Sequence, residues 1–582
     1  MAKTPIGYFA FVFHSHLPYV LGHGRWPHGT DWLNEATAET YIPLLDILNE
    51  LVDAGISPKI TVNISPVLAE QLSDPELKPE FEDYVKTKIE SAIADQSKFS
   101  AYHRSNLAQL AEFWQKFYEQ TLDHFQNRYN SDLIAAFRKL QDAGHIEIIT
   151  CAATHGYLPL LSQDTSIQAQ VKCAIATHTR HFGKAPRGIW LPECAYRPRY
   201  MWTPPVGSAA GKRPYMRKGV EEFLSENGLD FFVIDSHLLK GGKAIGVYLQ
   251  RFEALKKLWG VFASQYQVLP EDEEKTPYAA YLVSSYPERK KPVAVLTRDP
   301  KTGVQVWSGE WGYPGDGNYL DFHKKHFPGG HRYWKVTHAK ADLADKQEYD
   351  PLAAMKRVPE NADHFAKLLQ NLLIKEYERT GTPGILCAPF DTELFGHWWF
   401  EGPQWVKQVL KRVAETAEET GVYLTTSSEY LDLAKPQTVI SIPEGSWGEG
   451  GFHYIWLNEW NTWTWKHIYD AEVAMQDLLE IYSRTQRPAL EEVLKQAARE
   501  LLLLQSSDWQ FLISTWSARD YAEMRVSEHY NNFTRLRDLA IRIGEGEPID
   551  SGEWIFLQDC QKQNRLFPDI DLSWFKKIEY PA

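Results

Sequence analysis

The sequence predicts an α/β protein built on a parallel (β/α) barrel, and three observations carry that prediction. Short apolar runs rich in β-branched and aromatic residues recur from the N-terminus to about residue 426. Amphipathic or charged stretches separate them, and ionisable residues collect just past where the runs end. Continuous apolar strands alternating with helices indicate a parallel sheet covered on both faces. Seven or so such units favour a barrel over an open sheet.

In chain order the runs are YFAFVF (8–13), KITVNI (59–64), IEIITC (146–151), RGIWL (187–191), FFVID (231–235), VAVLT (293–297) and GILCAPF (384–390). An eighth, VYLTT (422–426), follows a helix in which Trp405, Val406, Val409, Leu410 and Val413 share one face. Residues from about 75 to 143 are polar and helical, too long for a barrel connection, and read as a helical excursion. A second insertion, about 200–290, holds the loop-like TPPVGSAAGKRP and LPEDEEKTP. Beyond about 440 the strands cease, and Leu490, Val493, Leu494, Ala497, Leu501 and Leu504 form an amphipathic face behind Pro488. The expected division is a barrel over residues 1–435 and an α-helical domain over 436–582.

At 582 residues the chain can bury a large core, and its 43% apolar and 24% charged fractions are those of a globular protein. A net charge of −14 argues against sequence-independent nucleic-acid binding. Five cysteines, odd in number and without CxxC spacing, point to reduced thiols and a cytoplasmic setting. His14 and His16 interrupt the N-terminal apolar run, so it does not read as a secretory signal, and no run is long enough for a membrane span. The anomaly is aromatic: 21 Trp, 29 Tyr and 27 Phe, many beside Gly, Pro, Asp and His, as in EWGYPGDGNY, FGHWWFEG and WLNEWNTWTW. Flat rings next to carboxylates suit sugars; ordinary core packing is the alternative.

The run ends lead to His14 and His16, His155, Glu193, Asp235 and His237, Arg298 and Asp299, and Asp391 and Glu393. In a parallel barrel these ends form one rim, where active sites are built. Glu193 and Asp391 each directly follow a strand and have small or aromatic neighbours that restrict water. Glycosidic chemistry needs two such carboxyl groups, about 5–5.5 Å apart when the mechanism is retaining. Apolar surroundings raise a carboxyl pKa and suit the acid, whereas a nearby cation suits the nucleophile. His14 and His16 alternate on a strand and so face one way. They could bind zinc or a sugar hydroxyl, which keeps a metal-dependent hydrolase as a rival, although no HExxH or CxxC supports it. WGYPGDGNY lacks the GK[ST] of a phosphate loop.

FHSHLPYV, IEIITCAATHGYLPLL, GIWLPECAY, APFDTELFGHWWFEGP and EGSWGEGGFHYIWLNEWNTWTW resemble the five ordered signature regions of glycoside hydrolase family 57. DTELFGHWWFEG and EGSWGEGG are most similar to the family's 1,4-α-glucan branching enzymes. The resemblance implies an incomplete (β/α)7 barrel with a helical insertion and a helical C-terminal domain. It implies Glu193 as nucleophile and Asp391 as general acid/base. It further implies substrate contacts from Arg298, Gly315, Trp447 and Asp508, with Trp307, Trp456, His14, His16 and His155 in the same groove; Tyr248, in the insertion loop GGKAIGVYLQ, is a candidate lid residue. The expected chemistry is retaining transglycosylation with α-1,4-glucan as donor and acceptor, and with no metal, organic cofactor, nucleic acid or membrane. Glucanotransfer, amylase-type hydrolysis and non-catalytic glucan binding are the competing expectations.

Overall fold

The computed structural model describes residues 4–207, 211–241, 252–264, 270–272, 274–286, 291–308, 312–338, 340–482 and 487–578. Seven parallel strands form its frame: β1 (Gly7–Ser15), β2 (Ile60–Ile64), β3 (Ile146–Cys151), β4 (Gly188–Trp190), β5 (Phe231–Ile234), β6 (Val293–Thr297) and β7 (Gly384–Asp391). Their order around the curled sheet is β7-β1-β2-β3-β4-β5-β6. The two ends meet at a thin seam. A single parallel bridge joins Arg298 to Cys387, with Asp299 N donating to Cys387 O at 3.1 Å. The outer edge of β6 is instead taken by the antiparallel strand Tyr281–Val283, which Val439–Ile440 extends. The result is a mixed sheet curled into an incomplete barrel.

The eighth run lies off the ring. One edge of β1 is divided, with Val12–Ser15 on β2 and Gly7–Phe9 on Val422–Leu424. The span of about 200–290 is not all insertion, because β5 lies inside it, beside the antiparallel pair Tyr200–Trp202 and Tyr215–Arg217. Tyr248 lies outside the described residues.

Period-two alternation in β1 explains how the site is aimed. Phe9, Phe11 and Phe13 project one way in a ladder, and Phe11 meets Phe365 and Trp405, both at 6.1 Å between rings. Ala10, Val12 and His14 therefore point into the barrel, the first two small enough to leave room. A glycine opens β4 for a related reason: a Cβ on Gly188 would stand 2.2 Å from the Phe231 ring of β5.

The excursion after β2 holds α1 (Leu77–Ala101), α2 (Ser105–Asp123) and α3 (Leu133–Asp142). α4 (Glu253–Phe262) lies between β5 and β6, and α5 (Pro351–Thr380) and α6 (Gly402–Glu415) cover β1 and β7. The helical C-terminal region contains α7 (Thr462–Tyr482), α8 (Pro488–Leu504), α9 (Ser507–Thr515), α10 (Arg519–Glu545) and α11 (Ser551–Gln563). α8 opens on Pro488 and buries all six of its predicted apolar positions. Among the described residues no helix is long and apolar enough to cross a membrane.

Candidate active site

β4 ends at Trp190, and Pro192 cannot continue its ladder. Glu193 and Cys194 then adopt left-handed backbone, with φ of 60° and 48°. Non-glycine residues take this conformation at a cost, so neighbouring structure must hold it. Residues beyond the last strand do so as a strap. Tyr196 and Gly445 exchange both backbone hydrogen bonds (2.9 and 3.0 Å), and Trp447 N donates to Glu193 O at 3.1 Å. Only glycine fits at 445, where a Cβ would lie 2.5 Å from both Leu238 Cδ2 and Gly451 O. α9 closes the other side: Gly156 bridges Ser506, and Ser507 N donates to His155 O at 3.0 Å.

This closure leaves Glu193 8% exposed. Trp447 Nε1 donates to its Oε2 at 2.7 Å, and Ser507 Oγ to its Oε1 at 3.4 Å. Burial pushes the carboxyl up to about 8, the charges of Asp391 and Asp508 add to the rise, and the Trp447 and Ser507 hydrogen bonds oppose it. Among the described residues no Lys or Arg pairs with Glu193. Arg298 reaches Trp447, its Cζ 6.0 Å from the ring, but its Nε donates to Asp235 at 3.2 Å and its Nη2 pairs with the same carboxylate. Burial opposes ionisation of Asp235, yet Arg298 holds it below the usual carboxylate range. Arg298 Nη1 is buried and has no acceptor among the described residues.

Three imidazoles line the wall opposite. His14 Nδ1 meets Asn63 Oδ1 at 2.6 Å and its Nε2 meets His155 Nε2 at 3.0 Å. Its ring stacks 4.7 Å from Trp190, while the rings of His16 and His155 lie 3.9 Å apart. Burial and then the neighbouring histidines push His14 and His155 well below the usual imidazole range, so both are neutral near pH 7. His16 Nε2 pairs with Asp508 Oδ2 at 2.9 Å, which ties the first turn of α9 to the end of β1.

Asp391 ends β7 in register with His14. It is buried, and close enough for its charge to raise both Glu193 and Glu393. Glu393, carried by the next turn, accepts from Tyr41 Oη at 2.5 Å and from His16 N at 3.1 Å. Burial pushes it up to about 8. The structure thus gathers Glu193, Asp391, Trp447, Asp508, His14, His16 and His155 in one cluster, with Arg298 at its edge.

Trp456, Trp307, Gly315 and Asp299 take part in packing, turns and caps. Trp456 is 0% exposed and stacks on Tyr157 at 4.7 Å, so its ring supports the wall and presents no sugar platform. Trp307 is buried at 6.3 Å from the ring of Phe390, which precedes Asp391. Gly315 sits in the turn Tyr313–Gly315, anchored through Tyr313 Oη and His364 Nδ1 at 2.6 Å. Asp299 serves the fold by capping the helix Pro300–Trp307. Sequence reasoning missed Ser507 and Tyr41; no motif marks either, since both act through contacts 300 or more positions away, Ser507–Glu193 (314) and Tyr41–Glu393 (352). Among the described residues two triads have ligand atoms within 4.8 Å of one another and could hold an ion, His14–Cys151–His155 and His16–His155–Asp508. In the second, His16 Nε2 is engaged by Asp508 and His155 Nδ1 by Ser507.

Residues 10–443 match the model of glycosyl hydrolase family 57, and residues 467–575 match that of the 1,4-alpha-glucan branching enzyme C-terminal region. A 1,4-alpha-glucan branching enzyme of Thermococcus kodakarensis is 43% identical over 93% of this chain and 75% of its own length. A crystal structure of a GH57-type branching enzyme from Pyrococcus horikoshii superposes with a TM-score of 0.86 at 38% identity, covering 99% of this chain and 98% of that one. The alpha-amylase AmyC of Thermotoga maritima gives 0.79 at 28% identity, covering 99% and 100%.

Proposed function

The chain belongs to glycosyl hydrolase family 57, and from that premise we propose that it is a 1,4-α-glucan branching enzyme. The observation that most supports this reading is the enclosure of Glu193 beneath the strap and α9, with the charge of Asp391 near enough to act on it. A glycosyl-enzyme must survive until an acceptor sugar reaches it, so excluding water favours transfer over hydrolysis.

In the proposed mechanism Glu193 attacks the anomeric carbon of an α-1,4-linked residue. The bond to the departing O4 breaks as Asp391 gives that oxygen its proton. Asp391 then takes the proton of an acceptor 6-hydroxyl, whose oxygen displaces Glu193 and forms the α-1,6 bond. Two inversions retain the α configuration. Among the described residues the donors to Glu193 are neutral, Trp447 and Ser507. Positive charge developing on the sugar in the oxocarbenium-like transition state is then its first close cationic partner, which strengthens the interaction where the rate is decided. The free Nη1 of Arg298 is a donor for a sugar hydroxyl.

Incubation with amylose tests the activity. New α-1,6 linkages with few new reducing ends are the expected result. Reducing ends without branches would give the chain the hydrolytic activity for which AmyC is named, and rearranged chain lengths without either would make it a glucanotransferase.

The Trp447 hydrogen bond yields a second test. The indole N–H favours ionised Glu193, so Trp447→Phe raises that carboxyl further above its already elevated value. The acid limb of the kcat/KM profile on amylose should shift to higher pH, with a loss at neutral pH of roughly ten- to hundred-fold. An unshifted limb would separate that indole from ionisation of the nucleophile.

A further inference from the structure

The aromatic stretch WLNEWNTWTW is only partly used by the active site. Trp456 is buried, but Trp460 and Trp516 meet at the surface, their rings 5.2 Å apart and tilted by 40°. Trp516 is 45% exposed, and Lys257 of α4 places its Nζ 5.0 Å from the centre of that ring. Trp516 also ends α9 in left-handed backbone, with φ of 58° and ψ of 16°. Helices commonly fill this position with Gly or Asn, because a bulky side chain is strained there. The fold keeps a costly Trp in a position where glycine is common, with its ring 45% exposed. An outlier of this kind calls for a functional reason.

α9 supplies the connection. Its first turn carries Ser507, which touches Glu193 and His155, and Asp508, which pairs with His16. Trp516 follows Asp508 by eight positions, about 12 Å along the axis at ~1.5 Å per residue. Site and surface pair are thus two ends of one rigid element. Two tilted indoles offer flat apolar faces to the C–H surfaces of sugar rings, and the Lys257 ammonium is a donor for their hydroxyls.

We propose that Trp460, Trp516 and Lys257 form a surface subsite that holds an α-1,4-glucan chain leaving the catalytic pocket along α9. The subsite rests on the reading of α-glucan as the substrate. It would favour long chains by gripping them beyond the reacting residues.

Electrophoresis of the full-length protein through gels with and without amylose tests it, with thermal unfolding measured in parallel. Trp516→Gly should weaken retardation by amylose roughly three- to ten-fold, the size of one lost ring contact. Its unfolding temperature should stay unchanged or rise, because glycine relieves the backbone. Trp516→Phe should keep most of the retardation. Unchanged retardation in Trp516→Gly overturns the subsite, and so does a lowered unfolding temperature, which would make the ring structural. Retardation that depends on Trp516 in a protein that makes no α-1,6 linkages would instead refute the branching activity and leave the subsite standing.

Discussion

Glu193→Gln should lose glucan transfer by about 10³- to 10⁶-fold while keeping its fold, because an amide cannot attack the anomeric carbon. Stability gives an independent readout with a defined sign. The native carboxyl is pushed up to about 8, so the folded state holds a proton that an unfolded chain releases near the ordinary value of 4.5. Stability from this group is therefore lost as pH rises from about 4.5 to 8. Glu193→Gln removes that loss, so its unfolding temperature should match or exceed the parent's at pH 8–9, with the gap closing toward pH 4.5. A variant with normal turnover would refute the role. A gap widening toward acid would refute the elevated carboxyl.

Asp391 should show a smaller but still large effect of a different kind. Asp391→Ala removes the proton donor, so amylose, whose leaving group needs that proton, should be turned over about 10²- to 10⁴-fold more slowly. An α-glycosyl fluoride needs little acid help and should retain far more activity. Azide then separates the two carboxyls by stereochemistry. In Asp391→Ala the glycosyl-enzyme still forms on Glu193, and azide attacking through the vacated side releases an α-glycosyl azide. In Glu193→Ala azide takes the nucleophile's place, expels fluoride in one inversion, and gives the β-azide. The opposite anomers would exchange the roles assigned to Glu193 and Asp391.

Much of this site is legible before folding. Glu193 lies just beyond β4 and Asp391 ends β7, and in a parallel barrel such ends open on one rim. His14 faces that rim because the phenylalanines of β1 claim the opposite face and alternation leaves it no other direction. The strap glycines and Trp447 are visible as an unusual string, EGSWGEGG, but its partner is not. Nothing local in that string says that Gly445 pairs with Tyr196, 249 positions away.

The electrostatics is the least legible part. Arg298, a substrate contact by resemblance, is bound to Asp235, a residue at the end of another strand. Which of several rim charges pair is set by distances of a few ångströms between elements remote in sequence. Trp456 reads as a sugar platform by composition but is sealed against Tyr157, because exposure is a property of what packs over a ring.

The sequence by itself determined the strands, their polar ends, the helical ending and the kinship with glycosyl hydrolase family 57. Each of these is written in periodicity or in contiguous residues. Tertiary structure alone decided that α9 and the strap close over Glu193 and that its carboxyl rises to about 8. It alone set Trp460 beside Trp516 at the surface. These depend on which distant segments meet and on how much water they displace, and neither is encoded in any local pattern.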